Sequence, residues 1–465
     1  MKAVVTVIGK DMVGILAKDA GTCKENGILG KSLLTLPFII QVKRMSPIRQ
    51  IELPEDVKQI IKTITEAGYE AYAVGGCIRD SVLGRIPEDY DITTSAKPLQ
   101  IKELFSHTID TGIKHGTVTI MLHGIGYEVT TYRIDGEYED CRHPREVIFT
   151  SNLIEDLKRR DFTINAMAYN DEQGLGDPFD GTGDLQKRVI RCVGNPIERF
   201  TEDALRMMRA VRFSAQLGYE IEAETADAIR VLAPNLKNIS AERIQTELVK
   251  LVTSPHPDDL RIAYETGITK VILPEFDVCM TTNQNHPHHC YTVGEHILHS
   301  MCEIRPDKVL RLAMLFHDIG KPDAITTDEH GINHFHGHPE ISAAYAQKIM
   351  RRLKFDNKSI YYVTNLVRYH DVRMELSRKS VRRAINKIGD DIFPLLFEVR
   401  EADTLAQSMY KRKEKEQDLA KLKEIYEDIV ASRECVSLKQ LAVTGSDLIR
   451  DAGWCEIKGA SFTCD

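Results

Sequence analysis

AYAVGGCIRDSVLGRIPEDYDITT, residues 71–94, is the stretch on which the reading of this chain turns. The run YEAYAV predicts a strand ending at Val74, where Gly75 and Gly76 permit a tight turn with exposed N–H groups. A short helix follows whose N-terminus favours an anion, with Arg79 one turn in. Asp89 and Asp91 stand two residues apart, so a strand there presents both carboxylates on one face and Tyr90 and Ile92 on the other. Two carboxylates aimed together are costly without cations. Two Mg²⁺ ions would neutralise them and clamp the attacking and leaving oxygens of a phosphoryl displacement. An Asp-x-Asp alone is more often an acidic turn at a strand start; the Gly-Gly turn and Arg79 reverse that balance.

Working outward, VKQIIKTITEAG predicts an amphipathic helix stopped by Gly68, and helix and strand signals mix down to about Gly194. Beyond Asn195-Pro196 the pattern is helical, punctuated by Gly218, Pro234, Pro255-His256-Pro257 and Pro274. Residues 3–8 predict a strand and 11–25 a helix. Gly30-Lys31-Ser32 imitates the end of a phosphate-binding loop, but Glu25 stands where its first glycine belongs. From Met409 a charged helix with a solvated face is predicted, and after Leu448 the helical signal fails. The predicted organisation is an appendage at 1–45, an α/β head at 48–194, a helical neck at 195–265, an all-α domain at 266–415, and a helical tail at 416–465 with an aberrant or disordered end.

The 465 residues allow about three domains, and 42% hydrophobic with 28% charged residues excludes a disordered or collagenous polymer. Ten scattered cysteines form no CxxC pair, which predicts a cytoplasmic setting without a cysteine-bound zinc. No apolar run is long enough to span a membrane, and the opening MKAVVTVIGKD is too weak for a signal peptide. The net charge of −8 hides a basic stretch from Lys187 to Arg212, where seven cationic residues face three acidic ones. Histidine is skewed as well: eleven of sixteen fall between His286 and His370, which points to a second chemistry.

The stretch GGCIRDSVLGRIPEDYDITTSA resembles the signature of the polymerase-β-like nucleotidyltransferases of the CCA-adding and poly(A) polymerase family, and the likeness runs from about Ile48 to Val443. It implies an α/β head, an all-α neck and body, and template-free transfer from CTP and ATP to a tRNA 3′ end. By that resemblance Asp89, Asp91 and Glu128 are catalytic, with Asp89 and Asp91 holding Mg²⁺. Gly75, Gly76, Arg79, Asn165, Arg209 and Arg212 join the nucleotide site; Arg160, in RRDFTINA, takes phosphate and Asp161 the sugar hydroxyl. EDCRHP, with Arg142, His143 and Pro144, resembles the family's flexible loop. EDALR resembles its amino-acid template, in which Asp203 and Arg206 read the base. The chemistry suits the residues: the carboxylate accepts from the amino group of cytosine or adenine and the guanidinium donates to the ring nitrogen. As plain helix chemistry, Glu202 and Arg206 are an i,i+4 pair needing no further explanation. Glu242 and Arg243, in AERIQTEL, read as structural.

LRLAMLFHDIGKP, with His296 about one helix earlier, resembles an HD phosphohydrolase domain. The resemblance implies His296, His317, Asp318 and Asp403 as ligands of a divalent metal whose identity is open, with His338 and His370 as candidates for a second. Residues 3–27 resemble the start of an ACT domain. The rival functions are a poly(A) polymerase of the same family, an HD-type hydrolase of nucleotides or RNA ends, and an ACT-type sensor, discounted because half of that unit is missing. No membrane and no protein partner is implied.

Overall fold

The computed structural model describes residues 5–9, 12–16, 51–136 and 147–432. The chain divides into a unit at Met1–Arg49 and a unit at Gln50–Asp465. In the first, β1 (Val5–Gly9) pairs antiparallel with β2 (Met12–Leu16). The helix predicted over 11–25 is therefore wrong at 12–16: the apolar run MVGIL, with its β-branched residues, serves a hairpin ladder as well as a helix face, and length alone does not arbitrate. The rest of the ACT-like stretch and the Gly30-Lys31-Ser32 triplet lie outside the described residues.

The second unit opens with α1 (Glu55–Glu66), which buries Val57, Ile60, Ile61 and Ile64 along one stripe, as the amphipathic spacing requires. There follow β3 (Ala71–Val74), α2 (Gly76–Val82), β4 (Asp91–Thr94), α3 (Pro98–Leu104), β5 (Thr108–Gly112), β6 (Thr117–Leu122) and β7 (Ile125–Thr131). A small hairpin, β8 (Arg133–Asp135) with β9 (Val147–Phe149), precedes α4 (Leu153–Lys158), β10 (Ala168–Asn170), β11 (Gly174–Gly176) and α5 (Gly181–Lys187). Seven strands form one mixed sheet in the order β11-β10-β3-β4-β7-β6-β5, in which only β4 and β7 run parallel. All four residues of β3 are buried: Ala71 and Ala73 join the main core, while Tyr72 and Val74 pack with Tyr132 and Leu157 in a smaller one. Both faces of the sheet's centre are thus covered, which fixes the end of β3 rigidly.

The helical part starts with α6 (Pro196–Glu202) and α7 (Leu205–Leu217), continues through α8 (Ala223–Leu232) and α9 (Ala241–Val252), and reaches α10 (Leu260–Glu265), α11 (Thr269–Ile272) and α12 (Pro274–Thr281). Then come α13 (Val293–Cys302), α14 (Lys308–Phe316), α15 (Lys321–Ala324), α16 (His338–Arg352), α17 (Asn357–Tyr369), α18 (Arg378–Ile388), α19 (Phe393–Leu405) and α20 (Arg412–Ala431). Residues 310–316 of α14 are all buried, so this helix is the axis about which its neighbours pack. Its one buried cation, Arg311, donates to the carbonyls of Arg305 and Val252, tying the axis to the end of α9. The charged helix predicted from Met409 is α20; its outer face is solvated as read, but Leu422 and Ile429 are buried. Among the described residues no helix is long and apolar enough to cross a membrane.

Candidate active site

The head site forms where β3 stops. Gly75 takes φ +87° and ψ −131°, and a Cβ there would meet Arg160 Nη1 at 3.0 Å. A Cβ on Gly76 would lie 3.7 Å from Arg79 Nη2. The two glycines are therefore the ground over which two guanidiniums lie. Arg79 is fixed by Asn165 Oδ1 at 2.8 Å and by both oxygens of Asp80 at 2.8 and 3.0 Å. Behind them, burial pushes the Cys77 thiol up to about 12, which leaves it inert.

Asp91 begins β4, and the parallel register Ile92↔Val129 sets it beside Glu128 on β7. Asp89 is not on that strand, against the sequence expectation. The β3–β4 ladder ends at Val74↔Asp91, and Gly75 then turns away, so residues before Asp91 have no partner to extend it. Asp89 instead lines an open cleft of about 560 Å³ with Gly76, Arg79, Arg85, Arg212 and Lys250. Asp91 remains reachable by solvent at a crowded rim. The packing around it raises its pKa, the Arg160 charge opposes that, and the Asp89 and Glu128 charges add to the rise. A cation would relieve this repulsion, and all-oxygen donors suit a hard one such as Mg²⁺. The three carboxylates form no group converging within 4.8 Å, however, so the donors are near one another without being closed up.

Arg160 is held by a residue the sequence reading missed. Asp156, fully buried on α4, accepts from Thr93 Oγ1 at 3.0 Å and from Arg159 Nε at 2.9 Å, and its Oδ2 lies 3.8 Å from Arg160 Nη2. Its i,i+3 and i,i+4 spacing to Arg159 and Arg160 was the available signal. Asp161 is buried too. Its Oδ1 accepts from Phe162 N and Asn165 Nδ2, its Oδ2 from Arg209 Nε at 2.7 Å. Burial opposes its charge, but Arg209 and Arg206 hold its pKa down at about 2.

The helical run read from Asn195-Pro196 to Gly218 is two helices, α6 and α7. Asp203 takes φ −137° and ψ 102°, and its carboxylate accepts from Leu205 N, as a residue opening a new helix does. Arg243 on α9 donates to Asp203 Oδ2 at 2.7 Å, so a residue read as structural holds the proposed base reader. Arg206 donates to Glu202 Oε2 at 2.7 Å and to the Arg159 carbonyl at 2.9 Å. The bland i,i+4 pair is therefore present, together with an anchor to the head. Arg212 lies 2.6 Å from Glu247, a second residue of α9 that the sequence reading passed over. Arg142, His143 and Pro144 lie outside the described residues.

The histidines form a separate centre. His296 on α13, His317 and Asp318 after α14, and Asp403 on α19 bring ligand atoms within 4.8 Å of one another, and Asp318, His338 and His370 do likewise. Asp318 Oδ2 lies 3.4 and 3.3 Å from the Nε2 atoms of His296 and His317, and Oδ1 lies 3.3 and 3.7 Å from those of His338 and His370. Each ring turns Nδ1 to a backbone carbonyl, of Ala406, Met314, Phe335 and Val367 respectively. A carbonyl only accepts, so Nδ1 donates to it and Nε2 turns inward, a lone pair whenever the ring is neutral; that of His296 also lies 2.9 Å from Asp403 Oδ1. Yet Nε2 faces Nε2 at 3.1 Å between His296 and His317 and at 3.2 Å between His338 and His370. Both Asp318 oxygens are buried and accept no aligned hydrogen bond, although Lys321 Nζ lies 2.6 Å from Oδ2. Inward-facing Nε2 atoms on both sides of a buried carboxylate fit cations on either side of Asp318. Burial opposes charge on His317, but the neighbouring Asp318 and Asp403 carboxylates raise its pKa to about 10. The centre opens into a cavity of about 290 Å³ rimmed by His286, His288, Lys321, Arg373 and Lys415.

Residues 71–191 match the family described as the poly A polymerase head domain, 218–280 an RNA- and SrmB-binding site of polymerase A, and 324–455 domain 2 of tRNA nucleotidyltransferase. The chain is 53% identical over 203 residues to the CCA-adding enzyme of Limosilactobacillus reuteri strain DSM 20016, covering 44% of this chain and 50% of that one. It is 54% identical over 208 residues to that of Levilactobacillus brevis, covering 44% and 52%. The matched region thus spans about half the length of these curated relatives. The Thermotoga maritima CCA-adding enzyme complexed with tRNA has the same fold, with a TM-score of 0.54 at 19% identity over 88% of this chain and 89% of that one. The Bacillus stearothermophilus CCA-adding enzyme in complex with CTP superposes with a TM-score of 0.63 at 31% identity over 89% of both chains, and with a likeness of that extent the chain belongs to the CCA-adding enzyme family of nucleotidyltransferases.

Proposed function

We propose that this chain extends tRNA 3′ ends with C, C and A from CTP and ATP, in the cytoplasm. The observation that carries the reading is the end of β3, where Arg79 and Arg160 lie over Gly75 and Gly76 next to Asp91 and Glu128, the residues just before the paired Ile92 and Val129. The guanidiniums neutralise the triphosphate, and the glycines let it approach the backbone. Asp89, Asp91 and Glu128 would hold Mg²⁺, which when bound stabilises charge developing at the α-phosphate. The RNA 3′-hydroxyl releases its proton to solvent and its oxygen bonds to that phosphorus as the bond to the β-phosphate oxygen breaks, and pyrophosphate leaves. Asp203 and Arg206 read the amino group and ring nitrogen shared by cytosine and adenine. The flexible-loop role of Arg142, His143 and Pro144 stays part of the proposal. The test is tRNA lacking its last three nucleotides, given each NTP singly and then CTP with ATP. Ordered addition of C, C, A supports the reading; a run of A would favour a poly(A) polymerase.

A second activity is favoured by the lone-pair contacts around Asp318. We infer a divalent metal centre on His296, His317, Asp318 and Asp403, with His338 and His370 on the far oxygen, acting on phosphoesters. The full chain, stripped by chelation and titrated with Mn²⁺, should melt higher by a step that His317→Ala abolishes, and should hydrolyse a chromogenic phosphodiester only when loaded. No shift in melting would reject the centre.

A further inference from the structure

The arginines of the head site come from two lobes, and one aromatic ring lies under three of them. Phe213, on α7, is 5% exposed. The guanidinium carbons of Arg212, Arg79 and Arg209 stand 3.8, 5.1 and 5.4 Å from its centroid. Phe162 meets it edge to face at 5.8 Å and 82°. Arg79 belongs to α2 of the head, whereas Arg209 and Arg212 share α7 with the ring, so the ring is a floor common to head and neck.

Three like charges crowd there against their mutual repulsion. Each is steadied on one edge by a carboxylate: Asp80 for Arg79, Asp161 for Arg209, Glu247 for Arg212. Those partners fix the edges of the planes. The negative face of the phenyl ring fixes what the carboxylates do not, namely the tilt at which the planes converge. Two of the three, Arg79 and Arg212, line the cleft into which Asp89 opens. Planar guanidiniums bind phosphate through paired N–H groups, so their tilt decides whether two oxygens can be met at once.

We propose that Phe213 is a positioning residue for the triphosphate: its ring face orients Arg79, Arg209 and Arg212 and so governs capture of the phosphate tail of either nucleotide, whatever the base. The inference rests on the nucleotidyl-transfer reading and extends it to a residue that touches no substrate. Because the ring acts on the phosphate side, its loss should weaken CTP and ATP alike and leave the choice between them intact.

The test uses the full chain with a tRNA acceptor and inorganic pyrophosphate as a probe without a base. Phe213→Leu should raise KM for CTP and for ATP by the same factor, about tenfold, with kcat within about twofold, and should weaken inhibition by pyrophosphate by that same factor. Replacing Phe213 by pentafluorophenylalanine keeps the ring's shape and inverts its face charge, so it should reproduce the loss with the melting temperature unchanged, and Phe213→Tyr should restore wild-type values. This pair of variants keeps the question open to refutation if the leucine protein folds poorly. A pentafluorophenylalanine protein with wild-type KM and wild-type pyrophosphate inhibition would overturn the role of the ring. Wild-type protein that adds neither CTP nor ATP to the tRNA acceptor would overturn the transfer reading itself.

Discussion

Asp91 owes its place to one ladder partner, Val74, and its chemistry to three neighbours, Arg160, Asp89 and Glu128. Because these side chains lie at the rim and not in the core, Asp91→Ala should leave folding intact while lowering nucleotide transfer by at least about 10³-fold. Near-normal incorporation in a single-turnover assay would refute the assignment. Asp161 is a contrasting case, a buried carboxylate held by Asn165 and Arg209. Its pKa of about 2 lies below the roughly 3.9 of an unfolded aspartate, so the folded state favours its charged form. That stabilisation is complete above about pH 4 and is lost as pH falls through about 2. Unfolding by urea across this window should show stability falling more steeply in the wild type than in Asp161→Asn. The variant should already be weaker at pH 7 by about 1–3 kcal/mol, since the partly exposed Arg209 is left without its partner. Parallel acid profiles for the two proteins would count against a buried Asp161–Arg209 pair.

At the scale of elements, the break between α6 and α7 is the feature with functional weight. A continuous helix would place Asp203 and Arg206 on one regular face; the break gives Asp203 its own backbone conformation, and Arg243 from α9 then sets the direction of its carboxylate. If Asp203 reads the base, Asp203→Ala removes the acceptor that opposes the carbonyl of UTP and GTP, and misincorporation should rise about tenfold relative to CTP and ATP. Arg243→Ala should act in the same direction more weakly, by loosening the carboxylate without deleting it. Single-nucleotide incorporation of all four NTPs measures both. Unchanged preference in Asp203→Ala would reduce the residue to a helix cap worth about 1 kcal/mol.

For the molecule as a whole, the two centres share no residue, and they sit on different frameworks. The head site hangs on the sheet and α7, the histidine centre on α13, α14, α16, α17 and α19. His317→Ala combined with Asp318→Ala should therefore abolish metal-dependent phosphoester hydrolysis and leave nucleotide addition at wild-type rates. Loss of addition in a folded double variant would show that the centres are coupled.

Residue order alone determined the local geometry of the site. Alternation into Val74, two glycines that only a sharp turn needs, and a helical spacing that puts Arg79 one turn in are rules of the backbone and act over a few residues. The stripe of α1 and the histidine series were legible for the same reason: period and residue type are local quantities. Other features were set by contacts between segments far apart in sequence. Asp89 left the strand because β3 runs out at Gly75. Asp156, Arg243, Glu247 and Phe213 became site residues through partners on other segments or the packing of several side chains around one ring. Charge and burial at such points depend on which surfaces the fold brings together, and that is a property of the tertiary structure alone.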